Sequence, residues 1–350
     1  MKLKTDEKLN PIYNRKLFGH EKIEEFLSHY YRSGKMHHAL LFEGEKGIGK
    51  ASLGFRYASH ILQYPEFIDA PSKLFIPDLN SSILRQMASH ALRDFLYLSY
   101  PLDTKTGKLR TSITVDEIRR IKDLLSLTSN TGNWRIVMID PVDAMNHNAA
   151  NALLKSLEEP PKKVLFILIS NVSGMILPTI RSRCLSVKFN TLSENNLCKA
   201  LFSLDFSYSK KQFDMIKDSA NGSVAKAVKI LNYDCDKIIS SYNDLIVMDE
   251  KYSIDHKIQK IADELSTNDK VLVFDFLIEF ILYQIYKNAK AAALSGMLEE
   301  ADNIVEIYYS IKKRLSSFFT YNLDRKQTII YILEKTMECY SIYCREFYAK

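Results

Sequence analysis

The apolar positions of the chain change their spacing along its length. Three short, nearly unbroken apolar runs lie in the first half: His38-Ala39-Leu40-Leu41-Phe42, Ile136-Val137-Met138-Ile139 and Val164-Leu165-Phe166-Ile167-Leu168-Ile169. The last two are continuous β-branched or aromatic runs, which predicts strands covered on both faces. After the first run, Ala51 to Leu62 reads as a helix. Between the other two, Ala150, Leu153, Leu154 and Leu157 share one side of a second helix. Asn146 can cap that helix and Glu158-Glu159-Pro160-Pro161 ends it. Strand, helix and strand in this order predict a parallel α/β sheet. Beyond Pro178 there is no proline, and only Gly222 and Gly296 interrupt the chain, which is what a mostly helical region permits. Within it, Val271 to Phe280 carries Asp275 and Glu279 four apart on one face of an otherwise apolar helix. That stripe predicts a surface-facing helix and not a membrane span. There is no internal repeat and no low-complexity tract.

Length and composition narrow the picture. At 350 residues the chain exceeds one core of ordinary size and suits two or three domains. Its 46% hydrophobic and 26% charged content is that of a soluble globular protein. The longest purely apolar run, Val164 to Ile169, falls far short of the ~20 residues that span a bilayer. The segment Met1 to Glu7 is charged without an apolar core, so no secretory signal is expected. Five scattered cysteines without a Cys-x-x-Cys pair argue against a disulfide framework and fit reduced thiols in a cytoplasm. A formal charge of +6 permits nucleic acid as a partner without requiring it.

The chemistry concentrates in Gly44-Glu45-Lys46-Gly47-Ile48-Gly49-Lys50-Ala51, a Gly-x-x-x-x-Gly-Lys loop between an expected strand and an expected helix. Gly44, Gly47 and Gly49 let successive backbone N–H groups turn around phosphate oxygens. Lys50 adds a mobile positive charge, and the helix that follows offers its N-terminus to the anion. The next position normally supplies a Ser or Thr hydroxyl to Mg²⁺, and here it is Ala51. Ser52 comes one residue later, about 100° around the helix. Asp140, after the second expected strand, is either a carboxylate that holds Mg²⁺ through water or a turn residue. Pro141, where a glutamate would activate water, has no base to offer, and nothing in the spacing puts Asp143 in line. The loop is expected to hold ATP or ADP better than it turns them over.

Several strings resemble a known family. His37-His38-Ala39-Leu40-Leu41, the glycine loop, Asn148 to Pro161 with its Leu-Leu-Lys-x-Leu-Glu-Glu-Pro-Pro core, and Leu177 to Cys184 with its Ser182-Arg183-Cys184 look like bacterial clamp-loader AAA+ subunits of DNA polymerase III. Motif-level resemblance covers Leu17 to Gly222. Beyond it only helical character and Asn322-Leu323-Asp324-Arg325 are reminiscent of the family. The resemblance implies a RecA-like AAA+ P-loop domain over 1–190, a small helical lid over 191–233 and an all-α oligomerisation collar over 234–350. By position, Arg183 corresponds to an arginine finger, a guanidinium that neutralises charge on the γ-phosphate of an adjacent gamma/tau subunit. The alternative is that Arg181 and Arg183 are ordinary surface charges. Asn171 falls where the family's first sensor lies, or is simply a strand-end turn residue. Cys184 reads as a small buried residue.

Departures from the family pattern point to one of its members. Ala51 and Pro141 are two. The third is Ala225 in Gly222-Ser223-Val224-Ala225, where motor subunits have a nucleotide-sensing arginine; Lys226 comes one place late and is expected in solvent. These losses imply the delta-prime stator rather than an active gamma/tau-like motor, in which Ser52 or Asp143 would compensate. The length also counts against tau, whose family members extend well beyond a collar. Many relatives carry a four-cysteine zinc module, but no cysteine precedes Cys184 here, and His60 and His90 alone cannot complete a tetrahedral site. No zinc is expected, and residues 65–110 form an insertion without an assigned role. The implied partners are gamma/tau and delta subunits, with the sliding clamp and primed DNA in the assembled complex, and no membrane. Lys155, on the helix from Asn146, is either a DNA contact or a solvated lysine.

Overall fold

A computed structural model describes residues 10–14, 16–76, 78, 81–101, 110, 112–126, 133–171, 176–232, 235–247, 251–267, 270–321 and 323–347. Contacts divide the chain into two compact units. One comprises Met1–Ser207 with Ala220–Ala227, the other Tyr208–Ser219 with Val228–Lys350. Residues 191–233, expected as a lid, contribute to both.

The first unit is built on five parallel strands: β1 (Ala39–Glu43), β2 (Phe95–Leu98), β3 (Arg135–Ile139), β4 (Val164–Ser170) and β5 (Leu185–Lys188). Their order across the sheet is β2-β3-β4-β1-β5, with Glu43 opposite Ser170 and Ile139 opposite Leu168. The three expected strands are present, and β1 and β4 are buried at every position. Alternate residues divide between two cores. Leu40, Phe42, Leu165, Ile167 and Ile169 face one side, with Leu53, Tyr57 and Ile61. Ala39, Leu41, Phe166 and Leu168 face the other, with Ile118, Ile121, Leu153 and Leu157. A strand that must be apolar on both faces cannot alternate, which is why these runs are unbroken.

Helices cover both faces. In chain order they are α1 (Glu21–Arg32), α2 (Lys50–Gln63), α3 (Ser82–Ala88), α4 (Val115–Ser126), α5 (His147–Glu158), α6 (Pro178–Arg181) and α7 (Glu194–Ser203). Asn146 caps α5 as expected, its side-chain oxygen accepting from Ala149 N–H at 2.8 Å. The buried side of α5 runs through Ala149, Ala150, Leu153 and Leu157, while Leu154 is only half-buried. In the 65–110 segment, α3 and the edge strand β2 turn an unassigned insertion into part of the sheet. There the buried His60 ring accepts the Phe75 N–H at 2.9 Å, and burial pushes its pKa down to about 4.

The second unit is helical, as its lack of proline predicts. After α8 (Lys210–Ala220) and α9 (Val224–Asn232), it continues through α10 (Cys235–Ile246), α11 (Lys251–Leu265), α12 (Val271–Leu294), α13 (Leu298–Tyr321) and α14 (Arg325–Phe347). Tyr242, Phe274, Ile281, Ile285, Ile304, Ile311, Ile332 and Leu333 form its buried interior. The stripe of α12 is narrower than the sequence suggests. Glu279 is exposed, but Asp275 is half-buried, and burial raises its pKa despite nearby Lys229 and Arg325. Of the Asn322 to Arg325 stretch, Asn322 lies outside the described residues. Asp324 caps α14 by accepting from Gln327 N–H at 2.8 Å, and Arg325 donates to the Thr267 carbonyl at 2.7 Å. Among the described residues, no helix is long and apolar enough to cross a membrane.

Candidate functional site

The Gly44 to Lys50 loop leaves the carboxyl end of β1, between β4 and β5, and opens α2. Asp140 follows β3 and Asn171 follows β4, so the parallel topology brings all three to the carboxyl end of the sheet. Gly47 and Gly49 have φ of +82° and +106°, which side chains with a Cβ rarely adopt. At Gly47 there is also no room: a Cβ would lie 2.5 Å from Ala225 Cβ and from Ser223 Oγ.

The loop is held from three directions. From below, His20 is buried and its Nε2–H donates to the Ile48 carbonyl at 2.7 Å. Burial lowers its pKa, keeping the ring neutral and able to make that single-donor contact. From within, the Lys50 ammonium donates to the Gly44 carbonyl at 2.7 Å and the Glu45 carbonyl at 2.5 Å. From above, Ser223 Oγ donates to the Lys46 carbonyl at 2.8 Å, and Ala225 N–H to the Gly47 carbonyl at 3.3 Å. Lys226 is not simply solvated: its ammonium lies 4.0 Å from a Glu45 carboxylate oxygen and its own N–H donates to Ser223 Oγ. Neither His20 nor Ser223 was singled out by its local sequence, because each acts on the loop from a distant part of the chain.

Lys50 is buried, and desolvation lowers its pKa to about 8, opposed by Asp140, Asp143 and Glu45. Asp140 is half-buried. Burial raises its pKa against the Tyr97 hydroxyl, which donates to its Oδ2 at 3.2 Å, and against Lys50. Asp143 lies in a short 3-10 turn, Val142–Ala144. It accepts from Ser170 Oγ at 2.8 Å and from the Asn171 N–H at 2.5 Å. Its carboxylate therefore braces the end of β4. Ala51 offers no ligand, and Ser52 is buried in α2. Among the described residues, no group of three or more His, Cys, Asp or Glu gathers where a metal could be held. Asp140, the loop N–H groups and Lys50 are groups that could contact an Mg²⁺–nucleotide here.

Arg183 is placed elsewhere. It precedes the amino end of β5, whereas the phosphate loop follows the carboxyl end of β1, and these two strands run parallel. Its Nη2 pairs with Glu158 Oε1 at 2.8 Å and its Nη1 donates to the Thr179 carbonyl at 2.9 Å. Arg181 takes a different partner, Glu43 Oε1, at 2.6 Å. Glu43 is buried at the end of β1, and Ser186 Oγ donates to its other oxygen. Cys184 is half-buried, and burial together with Glu43 pushes its thiol up to about 12. Lys155 is exposed on α5.

A five-stranded parallel sheet with a phosphate loop, flanked by helices and followed by an all-helical region, defines a P-loop α/β protein of the AAA+ class. The family model described as "DNA polymerase III, delta subunit" matches residues 19–193. The chain belongs to that family of DNA polymerase III clamp-loader subunits. Among curated relatives, it is 30% identical to the DNA polymerase III subunit gamma of Buchnera aphidicola from Schizaphis graminum, over 65% of this chain and 59% of that one. It is 35% identical to the delta' subunit of Pseudomonas aeruginosa, over 42% of this chain and 41% of that one. The chain thus spans about half the length of the curated relatives it matches. A solved gamma subunit-related protein of Thermotoga maritima covers 90% of this chain and 99% of its own, with 19% identity and a TM-score of 0.39.

Proposed function

We propose that this chain is the delta-prime stator of a bacterial clamp loader, working in the cytoplasm beside gamma/tau and delta to place the sliding clamp on primed DNA. In this reading 1–190 is the P-loop domain, 191–233 the lid and 234–350 the collar. The loop of Gly44, Gly47, Gly49 and Lys50 cradles ATP or ADP, flanked by Asp140 and Asn171, and its own turnover is absent or very weak. Arg183 serves the γ-phosphate at a neighbour's site. The observation that carries the reading is the contact above Gly47. The segment packed on the loop presents Ala225 there, without a guanidinium, while Ala51 and Pro141 lack a metal ligand and a base. Arg183, by contrast, starts from the other end of the sheet than its own phosphate loop, as a group serving a second chain should.

The competing reading, an active gamma/tau-like motor, draws on the match to gamma subunits and on the retained Lys50. Hydrolysis by the isolated chain separates the two. The stator is expected to show turnover at background with or without primed DNA. DNA-stimulated turnover that Lys50→Ala abolishes would establish the motor.

A further inference from the structure

Glu158 stands at a position that helix electrostatics disfavour. It is the last residue of α5, where the partial negative charge of the helix end repels a carboxylate. Glu159 and two prolines follow immediately, so the chain leaves the helix in a restrained conformation. The compensation in the fold is Arg183, whose Nη2 lies 2.8 Å from Glu158 Oε1. The Thr179 carbonyl takes Nη1 at 2.9 Å. Two anchors on the two terminal nitrogens fix the plane of a guanidinium that a single contact would leave free to turn.

The neighbouring arginine sharpens the point. Arg181 ends on the buried carboxylate of Glu43, which also receives Ser186 Oγ. Withdrawing Arg181 would strand a buried charge. Arg183 rests on a carboxylate that is about half exposed, so water can replace it when it leaves. We infer that Glu158 is a positioning residue for Arg183. It holds the guanidinium flat and forward on the surface until phosphoryl oxygens of a nucleotide in an adjacent chain take over the same N–H groups. Glu158 touches no nucleotide itself. The inference rests on the trans role proposed for Arg183.

The test uses the assembled clamp-loader complex containing the full chain. Hydrolysis is measured with wild type, Glu158→Ala, Glu158→Gln, Arg183→Ala and the Glu158→Ala/Arg183→Ala double variant. Glu158→Ala is expected to lower kcat about tenfold with KM for ATP unchanged, the scale on which misplacing a reacting group acts. Glu158→Gln, which keeps a carbonyl acceptor, should recover part of the loss. The double variant should be no slower than Arg183→Ala alone, because a positioning residue has nothing left to position. An unchanged rate in Glu158→Ala, beside a slow Arg183→Ala, would overturn the role of Glu158 alone. So would an equal further loss in the double variant, which marks a structural defect. A silent Arg183→Ala would instead remove the trans reading beneath both.

Discussion

At the phosphate loop, Lys50 is buried against its own loop's carbonyls while His20 and Ser223 hold Ile48 and Lys46. At the arginine loop, Arg183 is about a third exposed and lies on a half-exposed carboxylate. The first arrangement satisfies itself, so a nucleotide entering it must displace internal hydrogen bonds. The second is lightly held. An exposed ion pair contributes about 0–1 kcal/mol, so in the trans role proposed for Arg183 a phosphate would displace little. Arg181 could not be released so easily. Glu43 is buried, so losing Arg181 would leave its carboxylate poorly reached by water with Ser186 as its remaining partner. Of two arginines two residues apart, one rests on a buried carboxylate and the other on a half-exposed one.

The strongest way to break this contrast is Arg183→Ala in the assembled complex. If the guanidinium serves a neighbour, hydrolysis at the site it reaches should fall on the order of a thousandfold. Single-turnover kinetics would read that loss, while the melting temperature of the isolated chain stays put. A fall in isolated-chain stability without a rate effect would turn the contrast upside down.

The next largest effect concerns pH at the phosphate loop. Lys50 titrates near 8 in the folded chain, below its ordinary 10.5. The charged form is needed to attract phosphate, so ATP affinity should weaken as pH climbs above 8, by at most about tenfold per unit. Stability moves the other way. Between pH 8 and 10.5 the unfolded chain binds the extra proton at this site, so Lys50's own contribution to stability rises with pH through that window. Titration calorimetry and denaturant melts, each repeated with Lys50→Met, should show both slopes in the difference between wild type and variant. A smaller effect is expected from Gly47→Ala. The +82° φ and the crowding by Ser223 and Ala225 should cost about 2 kcal/mol, read as a lower unfolding midpoint. If the variant melts like wild type, the segment above the loop yields easily and the self-satisfied description fails.

Much of the sheet could be read from the chain alone, because β1, β3 and β4 are covered on both faces and so carry unbroken apolar runs. The edge strand β2 carries no such unbroken cover. Phe95-Leu96-Tyr97-Leu98 is only partly covered and sits in a stretch where no motif gives an anchor. The helix α4 likewise lies where no motif marks it. In the site, the glycine loop and the absence of a hydroxyl at Ala51 were legible, since the chemistry there depends on consecutive positions. The hold of His20 on Ile48 and of Ser223 on Lys46 was not, because each joins distant parts of the chain. Lys226 was read as solvated for the same reason. Its neighbour Glu45 becomes a neighbour only once the chain has folded back.

That folding back also limits how the chain can be taken apart. Gly222, at φ +71°, nestles so closely on Leu192 that a Cβ would lie 2.5 Å from its carbonyl oxygen. Residues 220–227 therefore join the first unit, although 208–219 belong to the second. No single scission frees one unit from the other. A fragment ending at 207 sheds the hydroxyl that steadies Lys46, and one extended to 227 carries along a helix torn from the other unit. Dissection at a linker, the usual route to a minimal domain, is closed by the path of the backbone.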